Sequence, residues 1–235
     1  VANAENAAAG SGITPQMFSK LRHYGIDVCT MGDHVFKRRE AIAVLESTDR
    51  MVRPANLPRE AVGNELAIVE ARDGQPVAVF ALLGRMYMNI RSDCPYHAAD
   101  RILEQIPSAV KTIIVDMHAE TTSEKVALGW YLDGRVTAVL GTHTHVQTAD
   151  EKVLPMGTAF ITDVGMTGPH DSVLGRDKHA VVASLVTGMP HPYAVASEDA
   201  RLCGVMIDVD DQTGRATRIE RVNLPDPLPP PPEDE

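Results

Sequence analysis

The densest chemistry in this chain lies in Gly141-Thr142-His143-Thr144-His145. An apolar, strand-like run from Val136 to Leu140 precedes it, so Gly141 is expected to turn the backbone into a loop. At i, i+2 spacing on extended backbone, two imidazoles project the same way and reach one small volume. Histidine is the commonest nitrogen ligand for zinc, iron and manganese, so the segment reads as half of a metal site. Taken alone, it reads equally well as a solvated polar loop. The same punctuation recurs, however: Asp33-His34 and His118 each follow a predicted strand, and Glu5-Asn6 lie in a small-residue loop before the first helix. In α/β sheets, ligands gather at the carboxyl ends of strands, which would bring these groups to one side of the fold. Carboxylate, amide oxygen and imidazole together suit Mn, Fe or Zn better than Ca or Mg. Two such ions side by side form a clamp for in-line displacement at phosphorus.

The elements that must position these groups alternate. Thr14-Pro15 is a helix start, threonine as N-cap and proline at N1, and the helix runs through Phe18 and Leu21 to Gly25. Ile26 to Met31 reads as a strand ending at Gly32-Asp33-His34. Pro76 to Leu83 and Lys111 to Met117 are compact apolar runs of the buried-strand type. Ser123 caps a predicted helix through Val126, Leu128 and Tyr131, closed by Gly134. Thr158 to Thr162 is a further strand, and Val205–Val209 with Ala216–Val222 flank a hairpin turn at Asp211-Gln212-Thr213-Gly214. Alternating strands and helices with a terminal hairpin predict an α/β fold built on a mixed sheet.

Composition narrows the function. The 235 residues suffice for a sizeable core, and 44% hydrophobic with 23% charged residues is ordinary for a globular protein. A net charge of -10 argues against long nucleic acid, because no basic stripe exists to release counterions. A small phosphorylated substrate remains open, since a bound metal reverses the local field. Cys29, Cys94 and Cys203 are scattered and odd in number, which fits a reducing cytoplasm and neither a disulfide framework nor a cysteine-rich zinc site. No apolar run is long enough to span a bilayer, so a cytoplasmic location without membrane partners is expected. With no internal repeat and no linker, residues 1–222 are expected to form one domain, followed by a proline-rich acidic tail at 223–235.

Several longer segments carry a resemblance. They are Asn3 to Ala8, Thr30 to His34, Val52 to Asn56, Asp116 to Lys125, Ala127 to Tyr131, Gly141 to Asp150 and Ile161 to Pro169. In this order, and across most of residues 1–222, the chain resembles the YmdB-like calcineurin-type metallophosphoesterases, bacterial enzymes associated with 2′,3′-cyclic nucleotide phosphodiesterase activity. The resemblance implies a layered α/β metallophosphoesterase sandwich, mixed β-sheets flanked by helices. It implies two transition-metal ions, iron or manganese in the first place and zinc as the alternative. Glu5 would bridge them, Asn6 and His145 would hold the first, and Asp33, His118 and His143 the second. His34 would give a proton to the leaving oxygen after attack by a metal-bound hydroxide. The expected substrate is a small cyclic nucleotide or other phosphodiester, with 2′,3′-cyclic nucleotides opened to 3′-phosphates.

Two departures stand out. The family opens with a strand bearing an aspartate in a Gly-Asp-Val-type motif and a crossover helix, and this sequence starts after that unit, as an N-terminally incomplete version would. The first metal then has fewer ligands than the second, and an uncovered sheet edge leaves homo-oligomerisation open. The family also has asparagine where Asp33 stands. Asp33 either restores the charge lost with the absent aspartate or is single-site drift. The alternative to an active enzyme is a catalytically silent metal-binding relative or a truncated fragment. Among other residues, Arg53 and Asn56 are expected to lock a loop, Asp163 to orient a histidine or cap backbone amides, and Trp130 to anchor the core. Cys29 is expected as strand packing, and His170 as no more than a substrate-rim residue.

Overall fold

Apolar runs bounded by turn residues become strands buried on both faces, and four such runs make the centre of this structure. The computed structural model describes residues 1–226. In chain order its elements are β1 (Ala2–Asn3), α1 (Pro15–His23), β2 (Cys29–Thr30), α2 (Ala41–Ser47), β3 (Met51–Val52), β4 (Leu66–Glu70) and β5 (Pro76–Leu83). There follow α3 (Pro95–Leu103), β6 (Thr112–His118), α4 (Thr122–Leu132), β7 (Ala138–Thr142), β8 (Lys152–Val153) and β9 (Ala159–Ile161). Last come β10 (Gly168–Pro169), α5 (Lys178–Thr187), β11 (Ala200–Val209) and β12 (Ala216–Pro225).

The main sheet has the order β4-β5-β6-β7-β9-β8. Strands β5, β6, β7 and β9 are parallel, while β4 and β8 run antiparallel at the two edges. Its register sets Leu83 beside His118 and His118 beside Thr142, so the carboxyl ends of three strands finish together. A small parallel sheet, β1-β2-β3, pairs Asn3 with Thr30 and Thr30 with Val52. A third sheet, β10-β11-β12, is antiparallel. Phe80, Leu82, Val115, Met117, Leu128 and Phe160 form a core between the main sheet and α3 and α4, each fully buried side chain contributing roughly 1.5–3 kcal/mol. A second cluster, with Cys29, Met31, Val44 and Leu45, packs around the small sheet. The mixed α/β layering matches the expectation.

Local signals hold in part. Thr14 caps α1 by accepting from the Met17 amide at 3.3 Å, and Gly25 follows its end at a φ of 92°. The strand expected over Ile26–Met31 shrinks to Cys29–Thr30, and α4 begins at Thr122 with Thr121 as N-cap rather than Ser123. Trp130 is exposed rather than a core anchor; its neighbour Gly129 gives Phe160 the room to pack. Residues 223–225, assigned to the tail by composition, complete β12 because β11 offers them partners: Asn223 pairs with Cys203 and Pro225 with Arg201. Proline there costs no ladder bond at a strand end. The rest of the expected tail, 227–235, lies outside the described residues.

Candidate metal centre

Every residue expected at the site sits at or just past the carboxyl end of a strand. Glu5 and Asn6 follow β1, Asp33 and His34 follow β2, His118 is the last residue of β6, and His143 and His145 follow β7. The sheets therefore bring together residues as far apart in sequence as Glu5 and His145. One oxygen or nitrogen from each of Glu5, Asp33, His118 and His143 lies within 4.8 Å of the others. His118 Nε2 is 3.2 Å from Glu5 Oε1, 3.0 Å from Asp33 Oδ1 and 3.0 Å from His143 Nδ1.

Beside this cluster, His34 and Asn6 form a second group. The His34 backbone amide donates to Glu5 Oε2 at 3.1 Å, and its ring Nδ1 faces Asn6 Oδ1 at 2.8 Å. Asn6 Nδ2 in turn faces His145 Nε2 at 3.3 Å and Glu5 Oε1 at 3.4 Å. His145 Nδ1 is buried and has no partner in hydrogen-bonding geometry among the described residues.

Burial and charge set the protonation. Burial alone would push the Glu5 and Asp33 carboxyls up, but hydrogen bonds from His118, and for Asp33 also from His143, hold both below the usual carboxylate range. The same contacts act on His118: burial lowers its imidazole, yet the bonds to Asp33 and Glu5 prevail and raise it. Two carboxylates thus draw a positive charge between them, which is the field a cation needs. His145 goes the other way, lowered by burial into the neutral form that can bind metal.

These donors fit transition-metal ions. A Cβ placed on Gly32 would stand 2.2 Å from Glu5 Oε2 and 2.4 Å from His118 Nε2, so the glycine keeps open the space these ligands enclose. Two ring nitrogens facing each other at 3.0 Å, with carboxylates on the flank, need a cation or a shared proton between them.

The histidine loop reaches this place by a different route from the expected one. Gly141 does not turn; β7 continues through it to Thr142. A Cβ there would lie 1.6 Å from the Thr162 carbonyl oxygen, so glycine is required by close approach of the neighbouring backbone. The backbone turns at the histidines themselves: φ is 91° at His143 and 65° at His145. Non-glycine residues hold that left-handed conformation only when their surroundings over-determine it. Here Asp163 does so, accepting from the Thr144 amide at 3.0 Å, Thr144 Oγ1 at 2.6 Å and the Gly165 amide at 2.8 Å. Fully buried Lys125 completes the arrangement with bonds to Asp163 at 3.0 Å and Thr144 Oγ1 at 2.8 Å.

Other expectations resolve plainly. Asn56 locks a loop, donating to the carbonyls of Leu83 and Asp93 and accepting from the Leu83 amide. Arg53 donates to the carbonyls of Pro54 and Ala61 and pairs with Glu65. Cys29 is fully buried strand packing. His170 lies 3.7 Å from Cys203 Sγ, its Nδ1 at the Gly168 carbonyl. Gly32, Thr142, Asp116, Glu120 and Lys125 lie inside the matched segments but take no role of their own from the sequence. For Asp116 a signal existed, since it precedes His118 by two residues on a strand and shares its face.

The family model for YmdB-like proteins matches residues 1–222. The chain belongs to this family. It is 44% identical over 226 residues to the 2′,3′-cyclic-nucleotide 2′-phosphodiesterase of Bacillus subtilis, covering 96% of this chain and 85% of that protein. A solved structure of a hypothetical protein from Thermus thermophilus superposes with a TM-score of 0.89 at 38% identity, over 96% of this chain and 86% of the other. A novel phosphatase of Mycoplasma pneumoniae superposes with a TM-score of 0.86 at 32% identity, over 96% and 82%. This is an enzyme chain of phosphodiesterase type. Among the described residues no helix is long and apolar enough to cross a membrane.

Proposed function

We propose that this chain hydrolyses small cyclic phosphodiesters, opening 2′,3′-cyclic nucleotides to 3′-phosphates at a site holding two transition-metal ions. The observation that carries the reading is the convergence of Glu5, Asp33, His118 and His143 within 4.8 Å, with His34 alongside. Asp33, His118 and His143 would hold one ion, Asn6 and His145 the other, and Glu5 stands between the two groups. Iron and manganese suit this donor set, with zinc as the alternative. When bound, the ions supply positive charge for the phosphoryl oxygens and lower the pKa of a coordinated water toward neutrality.

The protein's own side chains do the rest. His34 is the proton donor to the departing 2′ oxygen: its Nδ1 lies against the Asn6 amide, and Nε2, 3.8 Å from Asp33 Oδ2, is the nitrogen left to give the proton. Its ring is 29% exposed, whereas His118 is closed off at 1%, so only the former meets a leaving group. One amide couples the two roles of Asn6. With its oxygen on His34 it presents nitrogen to His145, and ligation through oxygen requires the amide to flip. The acidic chain favours a small substrate over a long polyanion, and a cytoplasmic setting suits its free cysteines.

The test is hydrolysis of 2′,3′-cyclic AMP with added Mn²⁺, with the product identified by chromatography. The expected product is 3′-AMP. Stoichiometric metal binding without turnover would instead support a catalytically silent relative.

A further inference from the structure

His118 and His143 turn different ring nitrogens to the centre, Nε2 from the first and Nδ1 from the second. A histidine ligates through an unprotonated nitrogen, so each ring must carry its proton on the opposite side. The surroundings of His118 decide this without ambiguity. Asp116 is buried, and its carboxylate oxygens serve as acceptors for three neighbouring donors. It accepts from Thr142 Oγ1 at 2.6 Å and Thr30 Oγ1 at 2.5 Å, and from Asn3 Nδ2 at 3.0 Å. The single Thr142 hydroxyl proton is thereby committed to Asp116. At its other side, 2.8 Å away, Thr142 Oγ1 can only accept, and the group it faces is His118 Nδ1. Nδ1 therefore carries a hydrogen, which leaves Nε2, the nitrogen facing Glu5 and Asp33, as the one that can ligate once a metal displaces its proton.

We infer that Asp116 and Thr142 are positioning residues: a buried carboxylate, acting through one hydroxyl, holds His118 in the Nδ1–H tautomer that presents Nε2 to metal. The inference rests on the metal-site reading above. Asp116 also ties the centre's scaffold together, since its three donors come from β1, β2 and β7. His143 is set the opposite way by a separate group, with Nε2 at 3.1 Å from Glu120 Oε2. That carboxylate is half-exposed, so the buried Thr142–Asp116 relay is the more rigid of the two. Outer partners of metal-binding histidines characteristically raise affinity by about 10–100-fold.

Thr142→Val keeps the shape of the side chain and removes the hydroxyl, while Thr142→Ser keeps the hydroxyl. Mn²⁺ affinity of the full chain by titration calorimetry is expected to fall about 10–100-fold in the valine variant and to return to within a few-fold in the serine variant. Far-UV circular dichroism of the three metal-free proteins should coincide. In the Zn²⁺-loaded protein, ¹⁵N NMR of the His118 ring should show a protonated Nδ1. Equal Mn²⁺ affinity for wild type and Thr142→Val, or a protonated Nε2, overturns the relay while leaving the metal site standing. A wild-type chain that binds no Mn²⁺ overturns both.

Discussion

The two halves of the centre are built to different standards. Around Glu5, Asp33, His118 and His143, each imidazole has its non-facing nitrogen anchored, His118 on Thr142 and His143 on Glu120. On the other side, His145 is half-buried with an Nδ1 that finds no partner among the described residues, and the Asn6 amide is shared between two histidines. An anchored ligand has lost its rotational freedom before metal arrives, so less entropy is lost on binding. The difference teaches that ligand count alone does not rank two sites; the partners behind the ligands matter as much.

Several variants break or sharpen this contrast. The largest effect is expected from Gly32→Ala, whose methyl would occupy the space between Glu5 and His118. Both metal content, by elemental analysis, and turnover should vanish; retention of either would mean that the cradle is not the metal site. His34→Ala separates chemistry from binding. It should lower kcat by about 10²–10⁴-fold, with metal content unchanged. A proportional loss of metal would instead make His34 a ligand. Third, a metal titration of the wild type should resolve two steps, the tighter one surviving in His145→Ala and the weaker one disappearing. Equal affinities would remove the asymmetry argued above.

The smallest effect concerns the loop beyond His145. Burial pushes the Asp150 carboxyl up, but hydrogen bonds from Thr162 and Thr148 outweigh it and leave the group below its ordinary value. A carboxyl lowered by folding adds stability above its unfolded pKa of about 3.9 and loses it as pH falls through the folded value. Asp150→Asn should therefore lower the melting temperature most near pH 7, and the gap from wild type should close as pH falls below about 4, which leaves the variant with the flatter acid limb. An unchanged acid limb would count against that role.

Much of this centre was legible in the chain. Residue types marked Asp33, His34, His118, His143 and His145 as candidates, because they stood at or close after apolar runs read as strands, whereas Glu5 and Asn6 lay in a small-residue loop with no strand signal and took their roles from the resemblance. The same runs determined the parallel centre of the main sheet, and Pro76–Leu83 appears as β5 with the boundaries its composition implied. Tertiary structure alone decided the conformation of the histidine loop. Nothing local to Thr144 announces that a lysine on α4 and an aspartate after β9 will converge on it and hold both flanking histidines at positive φ. Gly141 misled for the same reason. A glycine looks alike whether it serves a turn or makes room for the carbonyl of a distant residue such as Thr162, and only packed neighbours distinguish the two. Which nitrogen His118 offers is likewise a property of the assembled strands, because the proton count that settles it runs through Thr142 and Asp116, groups that meet only when β6 and β7 pair.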